Sequence, residues 1–155
     1  MTLSQKECGL LKDMKGQEEL CIQKYKKYAE LAKATELKAL FESMAQVEQN
    51  HLETVTSMMS GTVPQMSYGK PLENSGASSY SCTPAQYVSE EDRKADAFLC
   101  QDMLTTEKHV SSLYDTSIFE FKDPSARLVL NHIQAEEQQH GQQIYAYMNC
   151  NGMYS

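Results

Sequence analysis

The chain has 155 residues, enough for one domain with a real core. Its 21 acidic residues outnumber 14 basic ones, for a net charge of -7 and a pI near 5.1; nucleic acid is not expected as a partner, because phosphate binding needs clustered Lys and Arg. Hydrophobic residues make up 41%, and 7 Gly with 4 Pro are too few for a chain of tight β-turns, so the composition points to an all-α globular protein.

Four helices are predicted. The first covers about Ser4 to Lys33, opened by Ser4 and Glu7 as a capping box in which each side chain satisfies the other's free backbone N–H. The second covers about Thr35 to Ser60, with Gly61 as its stop. The third opens at Ser89, and Glu90, Glu91 and Asp92 put negative charge in its first turn, where the helix dipole favours it. The fourth opens at Asp123-Pro124, an N-cap followed by proline at the first helical position, and runs to about Cys150, before Gly152. A few residues near Ala34 join helices one and two, and a few near Asp123 join helices three and four; such short links make antiparallel neighbours. Residues 61–88 are rich in Gly, Pro, Ser and Tyr, and can run the full length of helices about 37 Å long. The expectation is a single domain, 1–155: an antiparallel four-helix bundle of hairpins 4–60 and 89–150, with one long crossover, 61–88, between helices two and three. Two independent hairpins on a disordered linker are less favoured, because a lone hairpin buries too little surface.

No apolar run approaches the roughly 18 residues that a membrane span needs. Met1 to Lys15 carries charges throughout and has no apolar core, so no secretory signal is expected and synthesis is expected to be intracellular. The five cysteines, Cys8, Cys21, Cys82, Cys100 and Cys150, are odd in number and lack CxxC spacing. That pattern predicts neither a disulfide framework nor a zinc site, and a reducing compartment, with Cys82 and Cys150 as exposed crosslinking thiols at most.

The two hairpins are an internal repeat. A shift of 89 positions lays residues 10–59 on 99–148 without a gap, with identities that include Glu18/Glu107, Tyr25/Tyr114, Glu48/Glu137 and His51/His140. Glu48-Gln-Asn-His51 and Glu137-Gln-Gln-His140 are both ExxH, and on a helix positions i and i+3 share a face. One Glu from each of two helices and one ExxH from each of the other two is the ligand pattern of di-iron and di-manganese carboxylate bundles, for which it is the standard description.

A lone ExxH is weak evidence, so the faces matter. The helical neighbours of Glu18 include Leu11, Met14, Cys21, Ile22 and Tyr25; those of Glu48 include Phe41, Met44, Ala45, Leu52 and Val55. Glu107 sits among Cys100, Met103, Leu104, Val110, Ser111 and Tyr114, and Glu137 among Leu130, Ile133, Gln134, His140, Gly141 and Ile144. Glu19, Glu53, His109 and His132 have polar neighbours and read as solvated. Four carboxylates in an apolar core are very costly unless neutralised. Two divalent ions balance them with neutral His51 and His140, and an oxygen-rich set with two imidazoles suits Fe or Mn. The alternative is an empty site of protonated, water-bridged carboxylates. Tyr25 and Tyr114, two turns beyond a Glu, are either plain core aromatics or hydrogen-bond donors to the Glu of the other half. Met14, Met44 and Met103 read as core filler, and Tyr68, Tyr80, Tyr87 and Tyr154 as surface aromatics.

Glu18…Tyr25…Glu48xxHis51 and Glu107…Tyr114…Glu137xxHis140 resemble the ferritin-like superfamily, rubrerythrins especially, although the paired CxxC motifs of a rubredoxin-like iron site are missing. Asp115-Thr-Ser, the run from Gln134 to Met148 and Asn151-Gly-Met-Tyr look like the coat protein F family of bacterial endospores. That resemblance implies a ferritin-like bundle, deposition in the spore coat and other coat proteins as partners. Two functions follow. One is a metal-binding redox protein, catalase-, peroxidase- or ferroxidase-like, with Glu18, Glu48, His51, Glu107, Glu137 and His140 as ligands and Glu48 and Glu137 bridging ions about 3.5–4 Å apart. The other is a structural coat component, its metal site empty or only stabilising. A bundle of this size often pairs, which would make a homodimer.

Overall fold

The computed structural model describes residues 1–65 and 82–154. Within them lie α1 (Gln5–Leu31), α2 (Thr35–Met59), α3 (Glu90–Glu120) and α4 (Pro124–Cys150), and no strand. The ends form as the sequence predicts. Ser4 accepts from the Glu7 N–H while Glu7 accepts from the Ser4 N–H, closing the capping box. Ser89 caps α3 through the Asp92 N–H, and Asp123 caps α4 through the N–H groups of Ser125 and Ala126. Gly61 takes φ +86°, and a Cβ there would lie 2.9 Å from the Met1 carbonyl oxygen, so only glycine fits this turn.

Short turns make α1/α2 and α3/α4 antiparallel hairpins. Between the hairpins, pairings fall in opposite order: Glu18 meets Tyr114, Tyr25 meets Glu107 and Lys33 meets Asp96. Helix α1 is thus antiparallel to α3, and α2 runs parallel to α3. The end of α2 and the start of α3 therefore lie at opposite ends of the bundle; most of the expected crossover, 61–88, with Tyr68 and Tyr80, lies outside the described residues. No helix is long and apolar enough to cross a membrane, among the described residues.

Two apolar clusters fill the bundle. One holds Tyr25, Leu37, Phe41, Met44, Met103 and Ile144; the other holds Leu11, Met14, Val55, Val110, Leu130 and Ile133. Met14, Met44 and Met103 are core, as expected. Burying one such side chain stabilises the fold by about 1.5–3 kcal/mol, and truncating Phe41 to Ala would cost about 3–5 kcal/mol. Among the buried polar side chains outside these clusters are Glu18, Glu48, His51, Glu107, Glu137 and His140, the acids no more than 1% exposed and the histidines 2% and 4%.

The hairpin turns are pinned by buried acids of the opposite hairpin. Asp96 accepts from the N–H groups of Lys33 and Ala34 at 2.8 and 2.9 Å. Glu7, its counterpart under the 89-residue shift, accepts from the Lys122 N–H at 3.0 Å. Two expectations are corrected here. Cys82 and Cys150 are not exposed free thiols but a disulfide, with Cα atoms 6.1 Å apart, because the returning chain is laid beside the end of α4; Ala85 N–H also donates to Asn151 there. Cys8, Cys21 and Cys100 are free. Tyr87 is no surface aromatic: its hydroxyl pairs with Asp96 at 2.8 Å and with Tyr147 at 2.7 Å. Tyr154 is 46% exposed and packs edge-on against Tyr145.

Candidate metal centre

Helix periodicity aims the polar six at one level of the bundle. Glu48 and His51 share a face of α2, and Glu137 and His140 share a face of α4, one turn apart in each case. Glu18 comes from α1 and Glu107 from α3. The structure brings all six together. His51 Nδ1 lies 3.0 Å from Glu48 Oε2 and 3.2 Å from Glu137 Oε1, and His140 Nδ1 lies 3.1 Å from Glu48 Oε1. The two imidazole rings are stacked with centroids 6.1 Å apart.

The six resolve into two overlapping groups. Glu18, Glu48, His51 and Glu137 each offer a ligand atom within 4.8 Å of the others, and so do Glu48, Glu107, Glu137 and His140. Glu48 and Glu137 belong to both groups. Either group has the donor set to hold a metal ion.

Both tyrosines reach across to the other half. Tyr25 donates to Glu107 Oε1 and Tyr114 donates to Glu18 Oε1. Burial, with the nearby carboxylates, raises both phenols well above their ordinary value and keeps them as donors. Each Glu is thus held through one oxygen. Its second oxygen is left over: among the described residues, the buried Oε2 atoms of Glu18, Glu107 and Glu137 have no hydrogen-bond partner. An orphaned buried acceptor costs about 1–3 kcal/mol, more when charged. Such acceptors, in residues of the two four-residue groups, fit a cation better than an apolar core.

Protonation follows the same logic. Burial pushes the Glu18 carboxyl up to about 8, the nearby His51 opposing it and the charges of Glu137 and Glu48 adding to it. Burial and the neighbouring Glu137 push Glu107 well above the carboxylate range. Burial acts in the same direction on Glu48, but hydrogen bonds with His140 and His51 outweigh it and hold Glu48 well below its ordinary value. For Glu137, the neighbouring Glu107, His140 and His51 likewise overcome burial and hold its carboxyl below the ordinary value. Burial alone would lower both imidazoles. Instead Glu136, Glu137, Glu18 and Glu48 hold His51 far above its usual value, and Glu107, Glu137 and Glu48 push His140 up to about 12. Without an ion, these directions favour the charged forms of Glu48, Glu137, His51 and His140 and the neutral forms of Glu18 and Glu107.

One participant escapes the sequence. Glu136 Oε2 lies 2.7 Å from His51 Nε2, and its Oε1 lies 3.3 Å from His132 Nε2. Hydrogen bonding to His51 outweighs burial and holds the Glu136 carboxyl below its usual value. A ligating histidine typically gives its second N–H to a carboxylate, which fixes the tautomer and turns the other nitrogen towards the metal. Glu136 is missed because its repeat counterpart is Val47, so the comparison of halves discards it. Its spacing from His132 and His140, four residues each way, is the signal that remains. His132 is half-exposed and sits at the rim through Glu136, whereas Glu19, Glu53 and His109 are exposed, as expected.

Fold and site together define an all-helical bundle with a buried carboxylate–imidazole cluster suited to metal. Within that class, residues 95–155, nearly all of α3 and α4 with the tail, match the family model of the Coat F domain, and this supports the coat protein F family of spores for the chain. No curated protein and no solved structure matches the chain.

Proposed function

We propose that this chain is a spore-coat-associated, ferritin-like protein of one domain that holds two divalent ions, Fe or Mn, in the middle of its bundle. The observation that carries the proposal is the pair of four-residue groups sharing Glu48 and Glu137. Glu18, Glu48, His51 and Glu137 would hold one ion, and Glu107, Glu48, Glu137 and His140 the other. Two divalent charges match four ionised carboxylates with neutral imidazoles, which removes the cost of burying the acids. The oxygen-rich donor set favours Fe or Mn over structural zinc.

Such a pair, when bound, supplies electron transfer to small oxidants, peroxide or dioxygen. The chain supplies the setting. Tyr25 and Tyr114 each fix one oxygen of a Glu and leave the other to the centre. Glu136 orients His51. The apolar clusters exclude bulk water. The Coat F match favours a second role, assembly into the coat beside other coat proteins, with the metal stabilising the bundle or absent. Elemental analysis after anaerobic Fe(II) or Mn(II) loading decides between them. Two ions per chain, with peroxide consumption in the loaded protein, support the redox centre. No bound metal leaves a structural coat component.

A further inference from the structure

The two halves supply the same ligands but not the same walls. Between α3 and α4 a cavity of about 410 Å³ reaches the buried Glu107 and Glu137, with Leu104, Ser111, Gly141 and Tyr145 around it and Tyr154 at its edge. Glu107 and Glu137, which line it, each carry an oxygen without a hydrogen-bond partner. Under the 89-residue shift, Ser111 corresponds to Ile22 and Gly141 to Leu52, so α1 and α2 carry branched aliphatic side chains where α3 and α4 carry a hydroxymethyl group and no side chain. A Cβ at Gly141 would meet Leu104 Cδ1 at 3.7 Å, ordinary contact. One methyl is accommodated, and a larger group would extend into the cavity. A glycine inside a long helix costs about 0.5–1 kcal/mol relative to alanine, a cost that local packing does not demand here.

We propose that this cavity is the one-sided way into the centre: the incoming divalent ion, and then a small exogenous ligand of the metals no larger than a triatomic anion or peroxide, arrive between α3 and α4 under Gly141. The proposal rests on the dinuclear reading above. Ion and ligand are drawn by the carboxylates at the cavity floor, and Ile22 and Leu52 close the equivalent side.

The test uses the metal-free full chain and Co(II), whose visible bands report binding, with azide added afterwards as the small ligand. Gly141→Leu installs the residue found at position 52. We expect the same final Co(II) content as the parent, uptake slowed about tenfold, equivalent to about 1.4 kcal/mol of added barrier, and a weakened azide response. Should Gly141→Leu fail to fold, Ser111→Ile, narrowing the same cavity from α3, takes its place with the same expectation. Two bound ions with unchanged uptake and unchanged azide response in the narrowed variant would overturn the one-sided route and leave the centre standing. No Co(II) bound by the parent chain would remove the centre itself, and the route with it.

Discussion

The two hairpins face each other as near copies, and their differences are more informative than their likeness. Everything that points at the centre is duplicated: Glu18 and Glu107, Glu48 and Glu137, His51 and His140, and tyrosines that cross over to the opposite Glu. The ties at the bundle ends are duplicated too, with Glu7 and Asp96 each gripping the other hairpin's turn. What differs lies at positions beside the ligands. Glu136 stands against Val47, Gly141 against Leu52 and Ser111 against Ile22, and only the second hairpin ends in a disulfide. A paired ion site constrains both halves equally, because each bridging carboxylate must serve both ions. Access, histidine orientation and end clamping need to be provided only once.

The largest effect separates the shared acids from the unshared ones. Glu48→Gln combined with Glu137→Gln should abolish binding of both ions, with helical circular dichroism retained, whereas Glu18→Gln should cost chiefly the ion nearer α1. Elemental analysis reads both. Equal losses would mean that Glu48 and Glu137 do not bridge. Loading the parent chain at pH 7 should release protons from Glu18, Glu107, His51 and His140, all raised in the ion-free protein. Calorimetry in buffers of different ionisation heat counts them, and release of none would show that the ions bind elsewhere.

The disulfide comes next. It closes a loop of 68 residues, and Cys82→Ser should cost about 2–4 kcal/mol, seen as a lower denaturation midpoint without reductant that matches the reduced parent. Glu136→Gln should weaken metal binding about 10–100-fold by loosening His51, while Val47→Thr changes nothing. Equal effects would mean that the asymmetry around the histidines is idle. The smallest effect concerns Glu7, whose hydrogen bonds from Ser4 and from the Lys122 N–H hold its carboxyl below the ordinary 4.5. A depressed carboxyl stabilises the fold above its unfolded value, and that contribution is lost as pH falls through the lower, folded value. Glu7→Gln should therefore cost about 0.5–2 kcal/mol near pH 7, and its urea stability curve should converge on the parent's below pH 4.5. Parallel curves down to the lowest pH would show that the charge on Glu7 contributes nothing.

Much of this molecule was legible in the chain. Helix ends could be read from Ser4, Ser89 and Asp123-Pro124 because capping is local chemistry, settled by residues three apart. The buried six could be read because helix periodicity places each on an apolar stripe and the 89-residue repeat pairs them. The crossed tyrosine bonds stayed open between two readings, since nothing local says which Glu a hydroxyl two turns away will meet. Glu136 at His51, Asp96 under the α1–α2 turn, Tyr87 on Asp96 and the Cys82–Cys150 bridge were not legible at all. Each joins residues from different helices or from the crossover, with no spacing rule between them.

The sequence by itself determined the four helices, their caps and the set of acids and histidines turned inward, because those depend on neighbours within a turn or two. Only the tertiary structure decided which carboxylates belong to both groups, which Glu each tyrosine meets and where a cavity reaches Glu107 and Glu137. Those depend on distances between helices, and they follow from how the hairpins dock.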